Sequence, residues 1–285
     1  MKIIESNVEK LRDPFVLVDG ENYYMYGTGW VAYRSNGNLQ KWEKLPGELV
    51  EIPKNFKDNK WAPEVYKYRN AYYMFTTYQS EATKHRGCTI LKSEKPEGPF
   101  IEISNGHVTP KDWDCIDGTF YIDEEGQPWM IFVHEWVCTE DHVGRMAAAK
   151  LSEDLTHLIS EPVELFRADE PDWAKWKNRE ASITDGCFMY RDEADRLCML
   201  WSNFDITGYC VASAHSDNGK VDGKWIHEKE LIFSKELSGE YDGGHGMLFR
   251  GFDGCTYLAI HSPNAKKGDR LEKPVFIPVK MQPWN

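Results

Sequence analysis

Five times along the chain, two short runs rich in aromatic and β-branched residues flank a tight polar or Gly-containing turn. No other feature constrains the fold as strongly, because two such runs joined by a short turn read as a β-hairpin. The first spans residues 15–27, where Phe15-Val-Leu-Val turns through Asp19-Gly20-Glu21-Asn22 into Tyr23-Tyr24-Met25-Tyr26. The second runs from Pro63 through Arg69-Asn70 to Thr77, and the third from Cys115 through an acidic turn at Gly126 to Trp136. The fourth runs from Gly186 to Ser202 and the fifth from Gly246 to His261. Further strand candidates follow at 87–93, 145–151, 209–214 and 274–279. Units of this kind, spaced by roughly 50 to 70 residues with about four strands each, predict an all-β fold, a five-bladed β-propeller.

Helical periodicity is confined to a short acidic stretch, residues 169–177. Pro and Gly are scattered as turn punctuation and no linker interrupts the pattern, so residues 1–285 are expected to form one domain. In a blade the first strand starts, and the second ends, on the same face. Strand starts collect Asp13, Ala62, Asp117, Asp185 and Gly244-His245 on that face. Strand ends add Thr28-Gly29-Trp30, Tyr78-Gln79, His134-Glu135-Trp136, Ser202-Asn203-Phe204 and residues 261–264. One acidic, aromatic pocket near the axis is expected.

Composition narrows the function. A net charge of −12 argues against nucleic acid and anionic membranes as partners. Eleven Trp and 14 Tyr suit a carbohydrate site, although packing accounts for most rings in a β protein. The seven Cys are odd in number and lack C-x-x-C spacing, which points away from a disulfide framework or zinc site. With Glu5 and Glu9 interrupting the N-terminal apolar residues, the expected location is the cytoplasm. The oligomeric state is not encoded in any motif. No phosphate loop, nucleophile elbow or nucleotide fingerprint is present.

Arg12-Asp13-Pro14-Phe15, Trp61-Ala62-Pro63-Glu64, Ile116-Asp117-Gly118, Thr184-Asp185-Gly186 and Gly243-Gly244-His245-Gly246 resemble, in order, the blade motifs of glycoside hydrolase family 43. The resemblance covers residues 10–280 and implies a glycosidase acting on arabinosides or xylosides, with inversion at the anomeric carbon. It implies Asp13 as the general base and Asp117 as the carboxylate that orients the acid and raises its pKa. The family usually places Glu before Gly-Pro in the fourth blade, where this chain has Asp185-Gly186-Cys187. The proton donor is therefore Asp185 by motif position or Glu135 by its place on the hairpin of Asp117, with Glu180 a distant third. Trp61, Glu64, Trp30, Trp136, His245 and His261 are candidates for binding the sugar, with Asn264 beside them at the rim. Arg270 is read as the partner of an acid. No cofactor is required, and a structural calcium or sodium ion near His245 is an accessory expectation. The expected activity is exo-release of a terminal pentose, α-L-arabinofuranose first and β-D-xylose second, from oligosaccharides. The alternative is a non-catalytic carbohydrate-binding propeller that lost its acid; a retaining relative is a third reading.

Overall fold

The structure, a computed structural model, describes residues 1–174 and 181–283. Among these, the strands form five antiparallel sheets, the blades of a propeller. Blade 1 holds Phe15–Asp19, Asn22–Gly27, Val31–Ser35 and Glu43–Lys44. Blade 2 holds Phe56–Tyr68, Ala71–Ser80, Arg86–Ser93 and Ile101–Glu102. Blade 3 holds Cys115–Ile122, Pro128–His134, Arg145–Lys150 and Val163–Arg167. Blade 4 holds Asp185–Arg191, Leu197–Phe204, Tyr209–Ser216 and Trp225–His227, with Gln282–Pro283 added beside its first strand.

Blade 5 is assembled from both ends of the chain. Gly244–Arg250, Thr256–Ser262 and Lys273–Val279 are followed in the sheet by Ile4–Glu5. Ile4 pairs with Phe276 and Glu5 with Val275. Glu5 also holds Arg270 at 2.8 Å and Lys273 at 2.7 Å. The first strands of the five blades pack one on the next in a closed ring, blade 5 returning to blade 1. Apart from the exposed or half-buried start of the blade 2 strand, most of their side chains are buried on both faces, which explains why these strands read as apolar runs instead of strict alternation.

Two expectations change. The first strand of blade 2 begins at Phe56, not Pro63, and so starts seven residues earlier than the hairpin read from sequence. Residues 169–174 form turns and no helix; the remainder of the 169–177 stretch, and Glu180, lie outside the described residues. A short helix instead forms at Lys235–Ser238, capped by the Ser234 side chain and ended by left-handed Gly239. No helix among the described residues is long and apolar enough to cross a membrane.

Candidate active site

The site is built from one backbone device repeated around the axis. At the axial end of each first strand stands a residue with positive φ, Asp13 (54°), Ala62 (41°), Asp117 (54°), Gly186 (40°) and His245 (55°), with Asn59 (64°) a second one in the extended strand of blade 2. In blades 2 to 5 the pairing with the second strand skips at that point, between Trp61 and Glu64, Ile116 and Thr119, Asp185 and Phe188, and Gly244 and Met247. Such bulges re-aim side chains at the rim of a sheet. Asp and His tolerate the left-handed region better than most residues, and Gly freely.

Each of these axial residues is tied to the preceding blade by its own N–H. The N–H of Ala62 donates to Thr28 Oγ1 (3.0 Å), that of Asp117 to Thr77 Oγ1 (3.0 Å) and that of His245 to Ser202 Oγ (2.8 Å). The N–H of Asp13 donates to His261 Nδ1 (3.3 Å), and that of Gly186 to Asp117 Oδ2 (2.9 Å). Four of the acceptors come from the second strand of the preceding blade or the residue just after it. The exception is Asp117, whose carboxylate holds the backbone next to Asp185.

This register corrects the alignment read from sequence. Asp13, Asp117 and His245 occupy equivalent left-handed positions, but Asp185 sits one residue earlier, level with Arg12, Trp61, Ile116 and Gly244. Its blade fills the left-handed position with Gly186. A Cβ there would come within 2.7 Å of the His245 ring, so that ring needs the glycine.

A cavity of about 320 Å³ opens over the ring, lined by Arg12, Asp13, Thr28, Trp61, Ile116, Asp117, Trp136, Asp185 and His245. His245 Nδ1 lies 3.4 Å from Asp13 Oδ1 and 3.7 Å from Asp117 Oδ2. Thr28 accepts the Ala62 N–H, and its own proton goes to Asp13 Oδ2 at 2.5 Å. Tyr209 donates its hydroxyl to Asp185 Oδ2 at 3.1 Å. Arg12 is held by the carbonyl and side-chain oxygens of Asn264. Sequence reasoning named Arg12 only inside a motif and gave Tyr209 no role. The usable signal for Arg12 is its one-residue offset from Asp13, shared with Trp61 and Asp185.

Electrostatics separates the carboxylates. Burial opposes ionisation of Asp13, but the adjoining His245 and His261 rings and Arg12 outweigh it and hold the group far below the usual carboxylate range. Burial raises Asp117, countered by His245 and the Gly186 N–H and reinforced by the charge of Asp13. Asp185 is pushed furthest up, by burial first and then by Asp117, with the Tyr209 hydrogen bond pulling the other way. The cavity thus sets a carboxylate whose surroundings favour the charged form beside one whose surroundings favour the neutral form.

Four sequence candidates fall elsewhere. Glu135 is 4% exposed, does not line the cavity, and accepts at Oε2 from Arg86 Nε at 2.5 Å. Burial still lifts it to about 7 against the pull of Arg86. The Arg86 guanidinium also lies 5.7 Å from the centre of the Trp61 ring, so this ion pair supports the cavity wall. Trp30 is buried, its Nε1 donating to Thr76 Oγ1 at 2.9 Å, because the extended blade 2 strand covers it. His261 is fully buried behind Asp13, with Asn264 on its other nitrogen at 3.2 Å, and so is no rim residue.

Glu64 points into the interior, where it accepts from Tyr66 at 2.6 Å, and burial raises it to about 8. The folded chain therefore binds more protons than the unfolded chain between about 4.5 and about 8, and stability falls as pH rises through that window. Glu64→Gln is expected to raise the melting temperature more at pH ~8 than at pH ~5. Equal gains at both would assign that pH sensitivity to other groups. As direct ligands, no three His, Cys, Asp or Glu side chains among the described residues converge on a metal ion.

Three carboxylates converging on one small cavity, with two tryptophans beside them on a five-bladed propeller, define a glycosidase-type site. The family model of glycosyl hydrolases family 43 matches residues 8–282, and the chain belongs to that family as a glycoside hydrolase. The solved endo-arabinase of Bacteroides thetaiotaomicron is 36% identical, with a TM-score of 0.86 over 99% of this chain and 98% of that one. An extracellular exo-α-(1→5)-L-arabinofuranosidase of Cellvibrio japonicus (strain Ueda107) is 26% identical over 90% of this chain and 79% of its own length. A thermostable family-43 glycoside hydrolase, 21% identical with a TM-score of 0.82 over 97% and 91% of the two chains, shares the fold.

Proposed function

We propose that the protein is an inverting exo-glycosidase that releases terminal α-L-arabinofuranose from oligosaccharides, with β-D-xylose as the second choice of sugar. The observation that carries the reading is the single cavity lined by Asp13, Asp117 and Asp185, with Trp61 and Trp136 beside them. Asp13, ionised, takes the proton of the attacking water. Asp185, protonated, gives its proton to the leaving oxygen. Asp117 orients the acid through the Gly186 N–H and, by its charge, keeps Asp185 protonated. Ring faces of Trp61 and Trp136 offer contacts to sugar C–H groups.

At about 320 Å³ the cavity is at the small end of ligand sites, which favours a chain end over an internal segment. Endo-cleavage is the second reading, because the 36% identical structure is an endo-arabinase. Linear arabino-oligosaccharides decide between them: exo-action yields arabinose from the first time points, whereas endo-action yields shorter oligomers first. Proton NMR of the first-formed anomer tests inversion. Seven unpaired cysteines, five of them buried, support a cytoplasmic location, which cell fractionation tests.

A further inference from the structure

Tyr209 and His261 line no part of the cavity, yet each is aimed at one of the two carboxylates that the proposed reaction needs. Tyr209 is 1% exposed and its hydroxyl donates to Asp185 Oδ2 at 3.1 Å. His261 is 0% exposed, and its Nδ1 accepts from the Asp13 N–H at 3.3 Å. The two rings stack, with centroids 5.7 Å apart and 24° between their planes. A buried path thus runs from Asp185 through Tyr209 and His261 to Asp13.

The surroundings are shaped to hold this stack. A Cβ on Gly244 would lie 2.4 Å from the Tyr209 ring, so the ring depends on that glycine for its place. The Tyr209 N–H donates to Asp242 Oδ2 at 3.3 Å, and the Gly243 N–H donates to the Tyr209 carbonyl at 3.2 Å. Phe204 closes the other side, its ring centroid 5.0 Å away. His261 Nε2 faces Asn264 Oδ1 at 3.2 Å, and its Nδ1 lies 3.3 Å from both the Asp13 nitrogen and Asp13 Oδ1, so the ring is held at both ends.

We propose that Tyr209 is a positioning residue for the general acid, and that its stack with His261 fixes the Asp185 carboxyl in relation to Asp13. The inference rests on Asp185 being the proton donor. Burial pushes the phenol well above its ordinary range, so Tyr209 remains a donor at working pH. With Oδ2 occupied by this hydrogen bond, the acidic proton resides on Oδ1. As that O–H bond breaks and the proton passes to the leaving oxygen, charge grows on the carboxylate and the Tyr209 hydrogen bond strengthens. The other groups acting on Asp185 are Asp117, Glu135, Asp13 and Arg12, and the His245 ring packs against the neighbouring Gly186. The phenol offsets three of these negative charges with a neutral donor.

Tyr209→Phe keeps the ring and removes one oxygen. On substrates with poor leaving groups kcat is expected to fall ~10-fold or more, with a smaller loss on activated aryl glycosides and little change in KM. The alkaline limb of the pH–rate profile moves to higher pH, because a carboxylate that loses a donor holds its proton more tightly. Gly244→Ala, which displaces the ring without touching the hydroxyl, is expected to move the limb the same way and keeps the idea testable if the first variant folds poorly. Carbon-13 NMR of labelled Asp carboxyls, with Asp185 assigned by its absence in Asp185→Asn, follows the titration directly. A folded variant with an unchanged limb and an unchanged Asp185 titration overturns the proposal. Full activity of Asp185→Asn on poor leaving groups would instead overturn the choice of acid, while the NMR arm still reads the Tyr209–Asp185 bond.

Discussion

Asp13→Asn is expected to lower kcat by ~10³-fold or more on every glycoside the enzyme turns over, with KM nearly unchanged. The size follows from what the carboxylate does. Asp13 is the one member of the cluster held firmly ionised, and no other cavity-lining carboxyl is so placed in charge. Its Oδ2 accepts from the Thr28 hydroxyl, while Oδ1 faces His245 Nδ1 at 3.4 Å and His261 Nδ1 at 3.3 Å, so both oxygens are held in fixed positions at the cavity. Asparagine keeps the volume and tolerates a φ of 54°, so the variant should fold. Loss of the base does not depend on how good the leaving group is. Steady-state rates on aryl glycosides of graded acidity check this: a loss confined to poor leaving groups would show that Asp13 is not the base.

Asp185→Asn should give the opposite pattern. On alkyl glycosides or natural oligosaccharides the loss is expected at ~10²–10⁴-fold, shrinking toward ~10-fold on aryl glycosides that leave without help. The pH profile supplies an independent readout. With Asp185 as the proposed acid, the protonated form is the active one and its pKa is raised, so wild-type activity is expected to fall as pH rises through that pKa. The variant should lack this alkaline limb on aryl substrates. Because Asp117 and Asp185 interact closely, the limb in the wild type belongs to the pair. Retention of both the limb and the rate on poor leaving groups would return the acid role to Glu135, which the Arg86 ion pair otherwise withholds.

The comparison of these two residues shows where sequence reading succeeds. Asp13 and Asp117 were legible because both stand in the same position of a repeated motif, and the repeat itself follows from hairpins that need neighbours. Asp185 was legible as a motif residue, but its offset was not. Sequence places it level with Asp13, whereas the bulge register places it level with Arg12 and Trp61. Glu135 illustrates the reverse. Hairpin logic brings it to the correct face, and only the packing of blade 2 against blade 3 shows Arg86 closing on it at 2.5 Å. Trp30, Glu64 and His261 also reach the axial end of their strands, but long-range burial turns each one inward.

The amino-acid sequence by itself determined five hairpin units, their order around an axis and the acidic character of the mouth. Those properties arise from local periodicity and turn chemistry, which act within ten or twenty residues. The tertiary structure alone decided which carboxylates share a cavity, which one stays charged, and which aromatic rings face a sugar or pack behind it. It also showed that the chain's first strand completes its last blade. Each of these depends on contacts between blades: an N–H reaching the preceding blade, a histidine between two aspartates, a phenol on a carboxyl oxygen. Such contacts join residues far apart in the chain, and charge and burial respond to distance in space, not to spacing in sequence.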